Sequence, residues 1–150
     1  MIPIYTHNNV LISFNSYCEV FLPREELADR FITYCRFWDI SPEKYKKMIQ
    51  QDDYRFLLFG WRPVRINGMD LGPRYEKLPP VMEEEIEYWV QRYREKKKED
   101  LLPALSKYRV EYVLYGPQER DLSRINPASL PYLKEVYRDG NVQVFGLLLN

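Results

Sequence analysis

Apolar positions alternate at the N-terminus, fall into helical spacing through the middle, and return to strand-like spacing near the end. Ile2 and Ile4, then Val10, Ile12 and Phe14, predict two short strands, with His7-Asn8-Asn9 as the turn, because asparagine tolerates the left-handed region. From Pro23 the period becomes helical. Leu27, Phe31, Tyr34, Cys35 and Trp38 share a face, and Glu25 and Glu26 suit the positive end of the helix dipole. Ser41-Pro42-Glu43 opens a second helix, with serine as cap, proline in the first helical position, and Tyr45, Met48 and Ile49 as its apolar side.

Phe56 to Trp61 is an unbroken apolar run that period alone cannot assign to strand or helix. The proline- and glycine-containing stretch from Arg62 to Pro80 predicts a long loop, and such loops are usually functional or mobile. Pro80 is then expected to open the clearest helix. Glu83, Glu84, Glu85 and Glu87 cluster near its start, Lys96, Lys97 and Lys98 near its end, and Ile86, Trp89, Val90 and Tyr93 form its buried stripe. Asp100 caps a further helix through Leu101, Leu102 and Leu105, where Pro103 is tolerable only in the first turn.

Val110 to Tyr115 is the strongest strand, and Gly116-Pro117 stops it. Asn126-Pro127 predicts one more helix, carrying Leu130, Leu133 and Val136. Asp139-Gly140 is a tight hairpin turn before a last strand over Val142 to Leu147. The fold expected is therefore α/β: one domain over residues 1–150, with a single small sheet layered with helices and a C-terminal β-hairpin.

Composition narrows the function classes more than it names one. Lysine plus arginine balances aspartate plus glutamate at 22 each, which argues against a general nucleic-acid binder. No apolar run approaches the roughly 20 residues that span a bilayer, and no signal peptide is visible after Met1. Thirteen tyrosines suit either a core with its rim or an interface that needs large amphipathic contacts.

No complete catalytic motif is present, and no cofactor or metal is expected. His7 is a lone histidine in a turn, Asp52-Asp53 reads as solvated acids before it reads as a cation site, and Cys18 and Cys35 are either a disulfide or two buried thiols. Two stretches keep functional weight. Tyr115, Gly116, Glu119 and Arg120 follow the best strand, where an arginine fork could hold an anion and a glutamate sugar hydroxyls; alternatively Glu119 and Arg120 pair and pin the loop. Trp61 lies between Arg55, Arg62 and Arg65, a mixture that suits membrane headgroups as well as a core strand entering a loop.

Lys107-Tyr108-Arg109-Val110-Glu111-Tyr112-Val113-Leu114-Tyr115-Gly116-Pro117-Gln118-Glu119-Arg120 resembles the K-Y-x-V-x-Y-V-x-x-G-x-x-E-R stretch near the C-terminus of polytopic membrane glycosyltransferases of the GT-C type. Val136 to Phe145 is similar to the hairpin that follows it there, and Ile2-Pro3-Ile4-Tyr5-Thr6 with Val10 to a segment after the last transmembrane region. The resemblance covers 105–145 well, the start fairly, and the middle not at all. It implies an outer-face domain of a larger membrane protein, with the parent's transmembrane part and a glycan or protein acceptor as partners. It carries over no catalytic residue, because that family's acids lie in its membrane bundle. Two other readings stand beside it: a self-contained, cytoplasmic interaction module with a tyrosine-rich interface, and a small enzyme using Glu119 or Asp53.

Overall fold

A computed structural model describes residues 23–50 and 81–148, together with the backbone of four two-residue strands earlier in the chain. These are β1 (Tyr5–Thr6) paired antiparallel with β2 (Asn9–Val10), and β3 (Arg65–Ile66) paired with β4 (Met69–Asp70). The second pair lies within the long loop expected over 62–80, and the rest of that stretch lies outside the described residues. Asn67-Gly68, which separates its strands in sequence, is the chemistry of a two-residue hairpin.

The helical layer is built on α1 (Arg24–Phe37). Every residue from Phe31 to Trp38 is buried, so the second half of α1 is surrounded on all sides. Its polar groups find partners there: Thr33 Oγ1 donates to the Asp29 carbonyl at 2.8 Å, and the Arg36 guanidinium to the carbonyls of Glu99 and Asp100 at 2.8 and 2.9 Å. Cys35 is a free thiol, fully buried, and burial holds it well above the ordinary thiol value.

In α2 (Pro42–Ile49) Ser41 accepts from the Lys44 amide at 3.2 Å, and Tyr45, Met48 and Ile49 are buried as the spacing predicts. α3 (Glu83–Lys97) buries Ile86, Trp89, Val90 and Tyr93, but starts three residues after Pro80. Tyr45 stacks on Tyr93 with centroids 4.2 Å apart, joining α2 to α3. α4 (Leu102–Lys107) places Pro103 in its first turn, and Asp100 Oδ1 accepts from the Leu102 amide at 3.2 Å.

The sheet is antiparallel throughout, in the order β5 (Tyr112–Tyr115), β7 (Val142–Leu147), β6 (Leu133–Asp139). Its inner face carries Val113, Tyr115, Phe145 and Leu133, all buried. Tyr115 stacks on Trp38 at 5.8 Å, which seats the sheet against the end of α1. On the outer face Tyr112, Val136 and Tyr137 are about half exposed. Gly146 lies opposite Tyr112, and a Cβ there would meet Val136 Cγ1 at 3.3 Å, a close contact that the valine side chain would have to yield to. Gly140, at φ +52°, takes the first loop position of the β6–β7 hairpin.

The helix expected after Asn126-Pro127 is overturned. Asn126 Oδ1 does accept from the Ala128 amide at 3.1 Å, but only one 3-10 turn forms, Pro127–Ser129. Pro131 lacks the N–H a helix would need there and forces Leu130 into extended backbone (ψ 123°), so Leu133 and Val136 enter β6 instead. A helix that the sequence reading did not foresee, α5 (Pro117–Leu122), replaces the open loop expected after Tyr115.

Among the described residues the fold is thus α/β, a small three-stranded sheet against helices with a C-terminal hairpin. Among the described residues, no helix is long and apolar enough to cross a membrane.

Candidate functional site

The stretch after β5 is held from within. Gly116, in extended backbone, precedes Pro117 at the first helical position of α5. Glu119 is 1 % exposed, and its Oε2 accepts from the Gly116 amide at 3.0 Å. This is half of a capping box, since glycine has no side chain to return the bond. Glu119 Oε1, like Trp38 Nε1 and Tyr45 Oη, is buried without a hydrogen-bond partner among the described residues.

Arg120 turns the other way. Its guanidinium lies 5.0 Å from the Tyr115 ring centroid and donates to Gln143 Oε1 at 3.3 Å. Gln143 Nε2 then donates to Glu135 Oε2 at 2.7 Å, and Arg138 closes the chain with two bonds to Glu135 at 2.8 and 2.7 Å. A polar ladder therefore runs from α5 across β7 to β6. Glu119 and Arg120 face separate partners, not each other. The rule that ligands gather beyond carboxyl ends of strands belongs to sheets of mainly parallel strands, and this sheet is antiparallel.

An open cleft of about 630 Å³ lies elsewhere, between α1, α3 and the end of α4. That volume is in the range of small-molecule sites. Three ion pairs line it: Arg30–Glu26 at 2.8 Å, Arg92–Glu25 at 2.6 Å and Lys107–Asp29 at 2.7 Å. Tyr108 is its aromatic wall. Its hydroxyl donates to Asp29 Oδ2 at 2.6 Å, and Arg30 and Lys107 approach its ring to 4.9 and 4.8 Å.

The electrostatics follow from those contacts. Partial burial pushes the Asp29 carboxyl up, but hydrogen bonds from Lys107 and Tyr108 outweigh it and hold Asp29 below the usual carboxylate range. Burial, with the Asp29 bond, pushes the Tyr108 hydroxyl up to about 12, so it stays a neutral donor. Asp29 is thus a fixed acceptor, a poor choice for a general acid.

Arg109 completes the lining, and its backbone is strained at φ +50°. The cause is how α4 ends. The Arg109 amide donates to the Ser106 carbonyl at 3.0 Å and the Val110 amide to the Leu105 carbonyl at 3.1 Å, the paired bonds of a Schellman cap. Such caps favour glycine at the left-handed position. Here an arginine occupies it, exposed, with no ion-pair partner among the described residues.

Sequence reading missed the cleft because Asp29, Arg30, Arg92 and Tyr108 lie far apart along the chain. The spacing of Lys107, Tyr108 and Arg109, at a helix end before a strand, was the only signal available. His7, Cys18, Asp52-Asp53, Phe56 to Trp61 and Arg62 lie outside the described residues, as does the side chain of Arg65. Among the described residues, no group of three or more histidine, cysteine, aspartate or glutamate side chains could hold a metal ion. Comparison with protein-family models, with curated proteins and with solved structures gives no match.

Proposed function

We propose that this chain is a non-catalytic accessory domain of a membrane glycosyltransferase of the GT-C type, positioning an acceptor or partner on the outer membrane face. The observation that carries this reading is spatial. The two stretches that resemble that family, 107–120 and 136–145, are separate in sequence but build one unit: the end of α4, β5, the capped turn into α5, and the β6–β7 hairpin. Within it Glu119 and Arg120 bind the chain to itself, as residues of a scaffold do. The charged cleft beside Tyr108 is then the surface the domain offers to an acceptor, and a rigid domain holding an acceptor in line contributes orientation.

A self-contained interaction module is the second reading. The half-exposed apolar outer face of the sheet, with Tyr112, Val136 and Tyr137 around Gly146, favours it. One experiment separates the two: sequencing the locus upstream of the Met1 codon. A reading frame continuing into many membrane-spanning segments supports the accessory domain. A stop codon directly upstream overturns it and leaves the interaction module.

A further inference from the structure

We infer that the cleft between α1, α3 and Tyr108 binds a phosphate-class anion, with Arg109 as its principal ligand. The inference deepens the accessory-domain reading by naming what the cleft holds, and it can stand if that reading fails.

Charge pairing is the first argument. Each carboxylate lining the cleft already has its own cation: Glu26 with Arg30, Glu25 with Arg92, Asp29 with Lys107. Lys96 likewise has a carboxylate of its own, Glu99, at 3.0 Å. Arg109 has no such partner among the described residues. Among the described residues the surplus is therefore positive and sits at the Arg109 side. An anion entering there meets acids that already have cations of their own, beside the Tyr108 ring.

Backbone strain is the second argument. Glycine at position 109 would relieve the left-handed conformation without touching the helix-ending hydrogen bonds. The position holds arginine, whose planar fork suits phosphate oxygens. Asp39 shows what such a residue does when the fold itself uses the side chain. It ends α1 in the same conformation, at φ 47°, and its carboxylate meets Lys97 at 2.6 Å. Among the described residues Arg109 has the strain without a side-chain contact, which leaves its fork to a ligand.

The test is titration of the protein with inorganic phosphate, followed by calorimetry and amide chemical shifts, in the wild type, Arg109→Gly and Asp39→Gly. Wild type is expected to bind with shifts centred on Tyr108 and Arg109. Arg109→Gly should weaken binding about ten-fold, the value of one charge-assisted contact, while remaining folded. Asp39→Gly makes the same backbone change outside the cleft and should leave binding unaltered. A parallel arm uses vesicles of phosphatidylglycerol against phosphatidylcholine. Binding to the anionic vesicles alone, lost in Arg109→Gly, assigns the same chemistry to a lipid headgroup. Wild type that binds neither probe overturns the inference, as does equal binding by Arg109→Gly. A stop codon upstream of Met1 changes none of these outcomes, so the two proposals fail separately.

Discussion

α1 and α4 end in the same way and use the end differently. At α1 the Asp39 amide donates to the Arg36 carbonyl at 3.0 Å and the Ile40 amide to Cys35 at 2.9 Å; at α4 Arg109 and Val110 make the same two bonds. Both ends bury the apolar pair that accompanies this cap, Cys35 with Ile40 and Leu105 with Val110, each at most 2 % exposed. Both put a non-glycine residue at positive φ. The difference lies in the side chain. Asp39 is held by Lys97, whose ammonium also donates to the Ile40 carbonyl at 2.9 Å, a carbonyl that Tyr93 Oη reaches at 2.6 Å as well. Arg109 faces the cleft. The same local geometry thus serves the fold at one end and a surface at the other.

The largest effect should come from what the two ends share. Ile40→Ala and Leu105→Ala each remove a fully buried apolar contact and should cost about 2–5 kcal/mol, read from chemical denaturation. A cost below 1 kcal/mol at either would mean that packing does not hold that end, and the likeness would be one of hydrogen bonds alone.

Glu119 gives an intermediate effect and compares the post-strand turn with the cleft. Glu119→Ala leaves the Gly116 amide buried without its acceptor and should destabilise by about 1–3 kcal/mol. Glu119→Gln keeps an acceptor oxygen for the Gly116 amide, so it should cost less than the alanine variant. Neither should change phosphate binding at the cleft. A Glu119 variant that binds phosphate more weakly while remaining folded would place the functional site back on the turn.

The contrast also explains what could be read in advance. The stripes of α1 and α3, the serine cap of α2 and the glycine turn of the last hairpin are local patterns, and each formed where spacing placed it. The helix expected at Asn126 failed on a residue already in view: Pro131 ends after one turn what Asn126 and Pro127 begin. The cleft was not legible. Asp29 and Tyr108 are 79 positions apart, and Glu25 and Arg92 67 apart, so their meeting is a product of packing, not of any local pattern. Glu119 and Arg120 were visible as a pair in sequence, but which way each turns depends on Gln143 and on the Gly116 amide.

The glycine variants address the comparison most directly, with smaller energies. Arg109→Gly relieves left-handed strain and should stabilise the protein by about 0.5–1 kcal/mol after glycine's extra unfolded-state entropy. Asp39→Gly should gain less, near zero, because aspartate tolerates that region better than arginine and because the Lys97 ion pair is lost. Equal gains at both positions would mean that Lys97 contributes nothing to Asp39, and the two ends would then differ only in address.

The smallest effect is a pH dependence of the cleft pair Asp29 and Tyr108. Asp29 is held below its usual value in the folded protein, so its contribution to stability is complete above the unfolded value near 3.8 and is lost as pH falls through the lower folded value. Tyr108 is raised from about 10 to about 12, so its contribution is complete below 10 and is lost as pH rises through 12. Stability measured against pH should therefore bend down at both extremes, and Asp29→Asn should flatten the acid limb while lowering the plateau. The change should be modest, because the Lys107 side chain is 60 % exposed and solvent screens the pair. An acid limb unchanged in Asp29→Asn would mean that Asp29 is not the anchor that Lys107 and Tyr108 make it.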